Sequence, residues 1–258
     1  FTVAEHLRAA GSDEAADRYR QAGDLAKAVF AHEEAATSYE LAIALGHPEV
    51  APIRLALAEM AIVRGDYETA MRELRTAESQ AVGETRALVV HRQGEVQRIL
   101  GRFDLAEEAF SMARSQHPLP ASLFADWALL RHRVGDAPSA ADLAGQAVSA
   151  ADDGGDRRLL ARALNVLGAV TPDPVRAASY VDAALDMSPP EDPARMAALN
   201  NKAYLLAADG EPDRAVALIE EAVDLAERTG SRHQQAALLN HLADLHHNAG
   251  RRSEAEAT

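Results

Sequence analysis

The chain of 258 residues contains no cysteine, so disulfides, thiolate nucleophiles and Cys-based zinc sites are excluded, and a reducing compartment is indicated. Aromatic residues make up only 4% of it, too few for a sandwich of aromatic and β-branched strands. Ala dominates the apolar set instead, which favours helices packed closely through small side chains. Positive charge is also scarce: 26 Lys and Arg stand against 40 Asp and Glu, a formal net charge of −14. Such a surface repels phosphate backbones and anionic lipid, so direct nucleic-acid binding and membrane binding are not expected. No stretch approaches the roughly 18 uninterrupted apolar residues that a membrane-spanning helix needs. The first residues, Phe1 to His6, have neither a basic start nor an apolar signal core, and they lack an initiator Met, as an excerpt or processed chain would. The expected compartment is the cytoplasm.

What is present is a repeat. Its clearest unit runs from Ala87 to Pro118: Val90-x2-Gln93-Gly94-x2-Gln97, then Gly101-x-Phe103, Ala106-x3-Phe110-x2-Ala113 and Pro118. This predicts one helix before Gly101 and a second after it, with Pro118 as the stop. Gly101 suits the turn because glycine accepts positive φ without steric cost. Ala106 and Ala113, two turns apart, share a face of the second helix and let the pair approach closely. The same grammar gives Gly65 with Ala70-x3-Leu74-x2-Ala77 and Gly135 with Ala140-x3-Ala144-x2-Ala147. It gives Ala35-x3-Tyr39-x2-Ala42, Ala177-x3-Val181-x2-Ala184, Gly210 with Ala215-x3-Ile219-x2-Ala222, and Gly250 with Ala255. The steps between the leading alanines are 35, 36, 34, 37, 38 and 40 residues. Those periods start at the 34 residues of the helix–turn–helix repeat and run a few residues above it. The expected fold is therefore all-α, a right-handed α-α superhelix of about seven degenerate helix pairs.

Three segments are expected within this array. Residues 1–50 hold irregular helices, broken near Gly11 and Gly23, and a first unit. Residues 51–150 hold three regular units, and residues 151–258 hold degenerate ones. Asp152 to Asp156 and Ser188 to Pro193 read as linkers or hinges, and Thr171-Pro172-Asp173-Pro174 replaces the usual Gly turn. Ser253–Thr258 begins a helix the sequence does not finish, and a solenoid needs a polar end cap, so continuation beyond Thr258 or closure on a partner is expected.

These units resemble tetratricopeptide repeats over nearly the whole chain, and the resemblance implies a binding or scaffolding surface rather than an enzyme. Val3 to Leu7, Ala22-Gly23-Asp24, Glu33-Glu34-Ala35 and Tyr39-x2-Ala42 resemble the start of the repeat region in large bacterial signal-transduction ATPases. The late units, with Ala163-Leu164-Asn165-x-Leu167-Gly168 and Ala198-Leu199-Asn200-Asn201, are similar to MalT-like, LuxR-type or antibiotic-regulator-type transcription factors. That likeness implies a sensor arm controlling an ATPase elsewhere in the polypeptide. No Gly-x4-Gly-Lys-Ser/Thr loop and no helix-turn-helix occurs in this segment, so such parts would lie outside it.

In an array of this kind the first helix of each pair lines the concave groove, and polar residues there are free for a ligand. Asn165, Asn200 and Asn240 stand at equivalent places, two residues before Leu167, Lys202 and Leu242. Asn is a poor helix former that offers both a donor and an acceptor, so a ladder of them can bond an extended peptide backbone. Asn201, Tyr204, His241, Asp244 and Asn248 join that set. The same asparagines could instead bond a neighbouring repeat and fix its register. A second patch, His91, Arg92, Glu95 and Arg98, with Asp126, His132 and Arg133 one unit on, could read a carboxylate or form a solvated mixed-charge face. The expected partner is a peptide or protein segment, other domains of the same polypeptide included. The alternatives are a small-molecule inducer and a passive scaffold. No motif calls for a cofactor or catalysis: His246 and His247 lie about 140° and 240° around the helix from His241, and the three cannot converge on one metal ion alone. Trp127 falls where a repeat wants a large core residue.

Overall fold

The computed structural model describes residues 2–115, 121–251 and 254–255. Pro118, the expected stop of the best-formed unit, lies outside them. Of the helix expected at 253–258 only Glu254 and Ala255 are described, and both are helical. Among the described residues there are fourteen helices and no strand. The chain divides into two compact units, Phe1–His117 and Pro118–Thr258.

The first unit contains α1 (Thr2–Ala9), α2 (Ala15–Ala28), α3 (His32–Ala44), α4 (Val50–Arg64), α5 (Tyr67–Glu78), α6 (Gly83–Ile99) and α7 (Phe103–Arg114). Its principal helix pairs are α2 with α3, α4 with α5 and α6 with α7. The second unit contains α8 (Ala121–Arg133), α9 (Ala137–Asp153), α10 (Arg157–Val170), α11 (Pro174–Met187), α12 (Ala194–Ala208), α13 (Pro212–Arg228) and α14 (Arg232–Asn248). There α8 pairs with α9, α10 with α11 and α12 with α13, while α14 packs on α13 and touches α12. The all-α repeat fold expected from the alanine spacing is the fold observed. The first helix of each pair, and α14 by its place after α13, is called an A helix below, and the second helix of a pair a B helix.

Small residues on both partners make the pairs close. The B-helix alanines Ala35, Ala70, Ala106, Ala140, Ala177 and Ala215 are all buried, as are the apolar residues four further on, Tyr39, Leu74, Phe110, Ala144, Val181 and Ile219. Opposite them each A helix also carries a small residue: Gly23, Ala58, Gly94, Ala128, Gly168 and Ala203. A Cβ on Gly94 would stand 2.5 Å from the Phe110 ring, one on Gly23 2.6 Å from Tyr39, and one on Gly168 2.7 Å from Val181. Gly23 therefore does not break a helix, as its composition suggested. It lies inside α2 and admits the Tyr39 ring from α3, whose hydroxyl donates to Asp24 at 2.7 Å.

The turns follow the same logic. Gly65, Gly101, Gly135 and Gly210 hold φ between 73 and 83° between the helices of a pair. The equivalent place in the first pair is Phe30, with φ 61°, the one non-glycine residue of positive φ among the described residues. Asp66, Asp136, Asp156 and Asp173 cap α5, α9, α10 and α11 by accepting from backbone N–H groups of the first helical turn. At 171–174 the chain turns without a positive-φ residue: Thr171 leaves α10 extended, with φ −83° and ψ 120°, and Asp173 caps α11 with Pro174 at the first helical position.

The segment 188–193, read as a hinge from its prolines, is tied on both sides. Arg195 donates to the carbonyls of Leu185 and Ser188, and Asp192 accepts from Ala194 N–H and pairs with Arg158 at 2.9 Å. The other expected hinge shrinks to the turn 154–156, because α9 continues to Asp153.

Candidate functional site

The A helices of the second unit, α8, α10, α12 and α14, contact one another in succession. Their facing polar side chains form contacts spaced close to one repeat. Arg162 of α10 donates to Asp126 of α8 at 2.7 Å, and Asp126 is fully buried. Asn201 Nδ2 of α12 donates to Asn165 Oδ1 of α10 at 2.9 Å. His241 Nδ1 of α14 bonds Asn200 Oδ1 of α12 at 2.8 Å. The asparagine set is thus divided. Asn165 and Asn201 satisfy each other between repeats, a register contact. Asn200 holds a histidine. Asn240, Asp244 and Asn248 are exposed on α14.

The Asn200–His241 contact forms one wall of a cleft of about 340 Å³. Met196, Ala197, Ala237 and Leu238 supply its apolar floor, and Arg133, Asn200, Tyr204, Gln234 and His241 its polar lining. Tyr204 and His241 stack with centroids 3.8 Å apart and planes 16° from parallel, yet Tyr204 remains 56% exposed. One ring face is therefore covered and the other open. An amide oxygen can only accept, so the His241 proton sits on Nδ1 and Nε2 keeps its lone pair. Burial pushes the His241 pKa below the usual histidine value, against the opposing pull of the Asp244 carboxylate. Near neutral pH the imidazole is uncharged, and its free nitrogen is an acceptor. Arg133, at the end of α8, is exposed and forms no ion pair among the described residues. It is the one charged residue of the lining.

The patch expected on α6 has a different character. His91 is buried with its ring tilted on Phe110 at 6.0 Å. Arg92 donates to Glu59 of α4 at 3.1 Å and to Glu95 at 2.9 Å, and Glu59 also accepts from Lys27 of α2 at 2.6 Å. Burial opposes ionisation of Glu59, but Arg92 and then Lys27 outweigh it and hold the carboxyl below its usual range. These charges link the A helices of the first unit to one another. Arg98 is half-buried on the same helix, and His132 is exposed beside Arg133. The sequence reading missed Lys27, Glu59 and Arg162, since lone charges on three helices gain meaning only when the repeats stack. Trp127 is buried, as its place in the repeat suggested.

Among the described residues no group of three or more His, Asp or Glu is placed to hold a metal ion, and no helix is long and apolar enough to cross a membrane. His246 is buried with Nδ1 unpartnered, and His247 is exposed.

Comparison with known proteins agrees with this architecture. The family model described as tetratricopeptide repeat matches residues 195–258, which contain α13, α14 and all but the first residue of α12. The fold is similar to that of the APC/C hetero-tetramer Cut9–Hcn1, with a TM-score of 0.67 and 16% identity, over 84% of this chain and 42% of that one. It is similar to a Rap protein complexed with competence and sporulation factor, with a TM-score of 0.65 and 13% identity, over 95% of this chain and 74% of that one. It is also similar to a signal transduction ATPase with numerous domains from Pyrococcus horikoshii, which carries a tetratricopeptide repeat sensor. There the TM-score is 0.59 and the identity 13%, over 90% of this chain and 38% of that one. The chain thus spans less than half of the first and last of these proteins. No curated protein sequence matches it. At such identities the likeness concerns the fold, a tetratricopeptide-like all-α repeat.

Proposed function

We propose that this chain is a non-catalytic recognition array that binds a peptide or protein segment along the A-helix face of its second unit. The observation that carries the reading is the cleft where Arg133, Asn200, Tyr204 and His241 converge on an apolar floor. His241 is buried and held by Asn200, while Tyr204 and Arg133 stay exposed at the cleft. An exposed aromatic ring, an amide, an unpaired arginine and an imidazole acceptor form the kind of sparse polar set on an apolar wall that ligand sites use. The neighbouring structures lend the same support, since a Rap protein with competence and sporulation factor and an ATPase with a repeat sensor share this fold. We extend the reading to a sensing arm of a larger cytoplasmic bacterial regulator, whose other domains supply an ATPase or a DNA-binding part.

The test is a peptide-display selection against the purified chain, followed by calorimetry with the selected peptide. Tyr204→Ala and Arg133→Ala should each weaken binding at least tenfold, while Glu220→Ala on the exposed side of α13 should leave it unchanged. Equal affinities for all three would reject the A-helix face. A second reading, a small-molecule inducer site, is favoured by the volume of about 340 Å³, which suits a compact ligand. It predicts that one member of a metabolite panel raises the melting temperature by mass action where selected peptides do not.

A further inference from the structure

The recognition reading says where a segment binds, and the cleft's own chemistry narrows what that segment must carry. We infer that the cleft takes an acidic side chain next to an aromatic one, read by Arg133 and by the open face of Tyr204 respectively. This rests on the recognition reading above.

Charge comes first. The chain carries a formal −14, yet the cleft lining contains no carboxylate and one guanidinium. An unpaired arginine with a planar fork of donors matches a carboxylate by two parallel hydrogen bonds. Its neighbour Arg131 lies 3.9 Å from Asp136, whereas Arg133 has no such partner among the described residues. The net negative charge of the chain disfavours non-specific docking of an anionic segment, whereas at the cleft the one charged group of the lining is a cation.

The aromatic requirement comes from Tyr204. Its ring is fixed on one side by His241, which is itself 6% exposed and held through Nδ1 by Asn200. A ring buttressed in this way loses little freedom when a ligand covers its other face, and an offset-stacked partner gains beyond its buried area. His241 adds polarity sense. With Nδ1–H committed to Asn200, Nε2 accepts a ligand N–H, which a peptide backbone or an indole provides. The Asp244 carboxylate, which acts on His241, lies outside the lining, exposed on α14.

Isothermal titration of the whole chain with four acetylated, amidated tetrapeptides tests this: Ala-Trp-Glu-Ala, Ala-Trp-Gln-Ala, Ala-Leu-Glu-Ala and Ala-Trp-Lys-Ala. The Trp-Glu peptide should bind at least tenfold tighter than the Gln and Leu versions, and the Lys version should bind most weakly. Arg133→Gln should abolish the Glu-over-Gln preference and keep the Trp-over-Leu preference, and Tyr204→Ala should do the reverse. Both residues are exposed, and unchanged helical circular dichroism would confirm that each variant folds. Equal binding of the Glu and Gln peptides to the unaltered chain, or no binding of any peptide at millimolar concentration, overturns the proposal. So does indole-3-acetate binding as tightly as the Trp-Glu peptide, since it carries the two groups without a backbone. A display-selected peptide that binds at Tyr204 and Arg133 but lacks the acidic–aromatic pair would overturn this inference and leave the recognition reading standing.

Discussion

The sharpest mechanical prediction concerns one methyl group. Gly168 in α10 and Gly145 in α9 are helical glycines of the same unit, and both can be changed to alanine. By intrinsic propensity each change should stabilise its helix by about 1 kcal/mol. Around Gly145 nothing lies within 4 Å of a new Cβ, so that gain should be realised. At Gly168 the Cβ would stand 2.7 Å from Val181 Cγ2 and 3.1 Å from the Ala177 carbonyl oxygen. Val181 is fully buried and cannot turn out to solvent, and the carbonyl belongs to the α11 backbone. Relief therefore requires the two helices to separate, and overpacking of this kind costs about 1–3 kcal/mol. With the clash at the severe end of that range, Gly168→Ala should lose about 2 kcal/mol net of the propensity gain. Urea titration followed by fluorescence of Trp127, the single tryptophan and a member of this unit, reads both changes. With a slope of about 2 kcal/mol per molar, the midpoint should fall by about 1 M for Gly168→Ala and rise by about 0.5 M for Gly145→Ala. Adding Val181→Ala to Gly168→Ala should cost less than the sum of the single changes, because the carrier of the nearest clash is gone. If Gly168→Ala matches or exceeds the parent stability, close approach of A and B helices is not what glycine serves there.

Other perturbations test the remaining contacts. Asp173→Ala removes a cap that accepts from both Val175 and Arg176 N–H, and should cost about 1 kcal/mol in the same titration. Glu59 has a folded pKa below its unfolded value, so its contribution is present above about pH 4.5 and lost as pH falls through the folded value. Acid titration of helicity should show that loss, and Glu59→Gln should flatten it. His241 also has a depressed folded pKa, but as a cation-forming group. The unfolded chain binds its proton first, so stability should fall as pH drops below about 6.5 and level off below the folded value, and His241→Gln should remove that slope. A double-mutant cycle on Asn165→Ala and Asn201→Ala should give a coupling of about 0.5–1.5 kcal/mol with no effect on peptide affinity, as suits a register contact.

Much of the fold could be read from B-helix alanines and turn glycines, because both needs are local: a small residue at a crossing and a residue at ease with positive φ. Phe30 shows where that signal fades. It sits in the turn glycine's place with the same backbone sign, which its identity hides. Gly23 misled for the opposite reason, since a glycine in a helix and one that ends a helix look alike until Tyr39 arrives from α3. The candidate site was legible in composition but not in pairing. Repeat alignment sets Asn165 level with Asn200, whereas the hydrogen bond joins Asn165 to Asn201. Side chains reach across stacked helices at an offset set by helix rotation, and no spacing rule within one chain segment carries that information. Arg133 was legible as a candidate carboxylate reader, but grouped with the α6 patch; that it lines one cleft with residues of α12 and α14 depends on how the repeats stack.

The central claim is that ligand meets the A-helix face of the second unit. Hydrogen exchange of the chain, with and without a saturating display-selected peptide, tests it directly. The account predicts added protection concentrated in α12 and α14 and at the Arg133 end of α8. Protection confined to the B helices α11 and α13, or to the first unit, would contradict it.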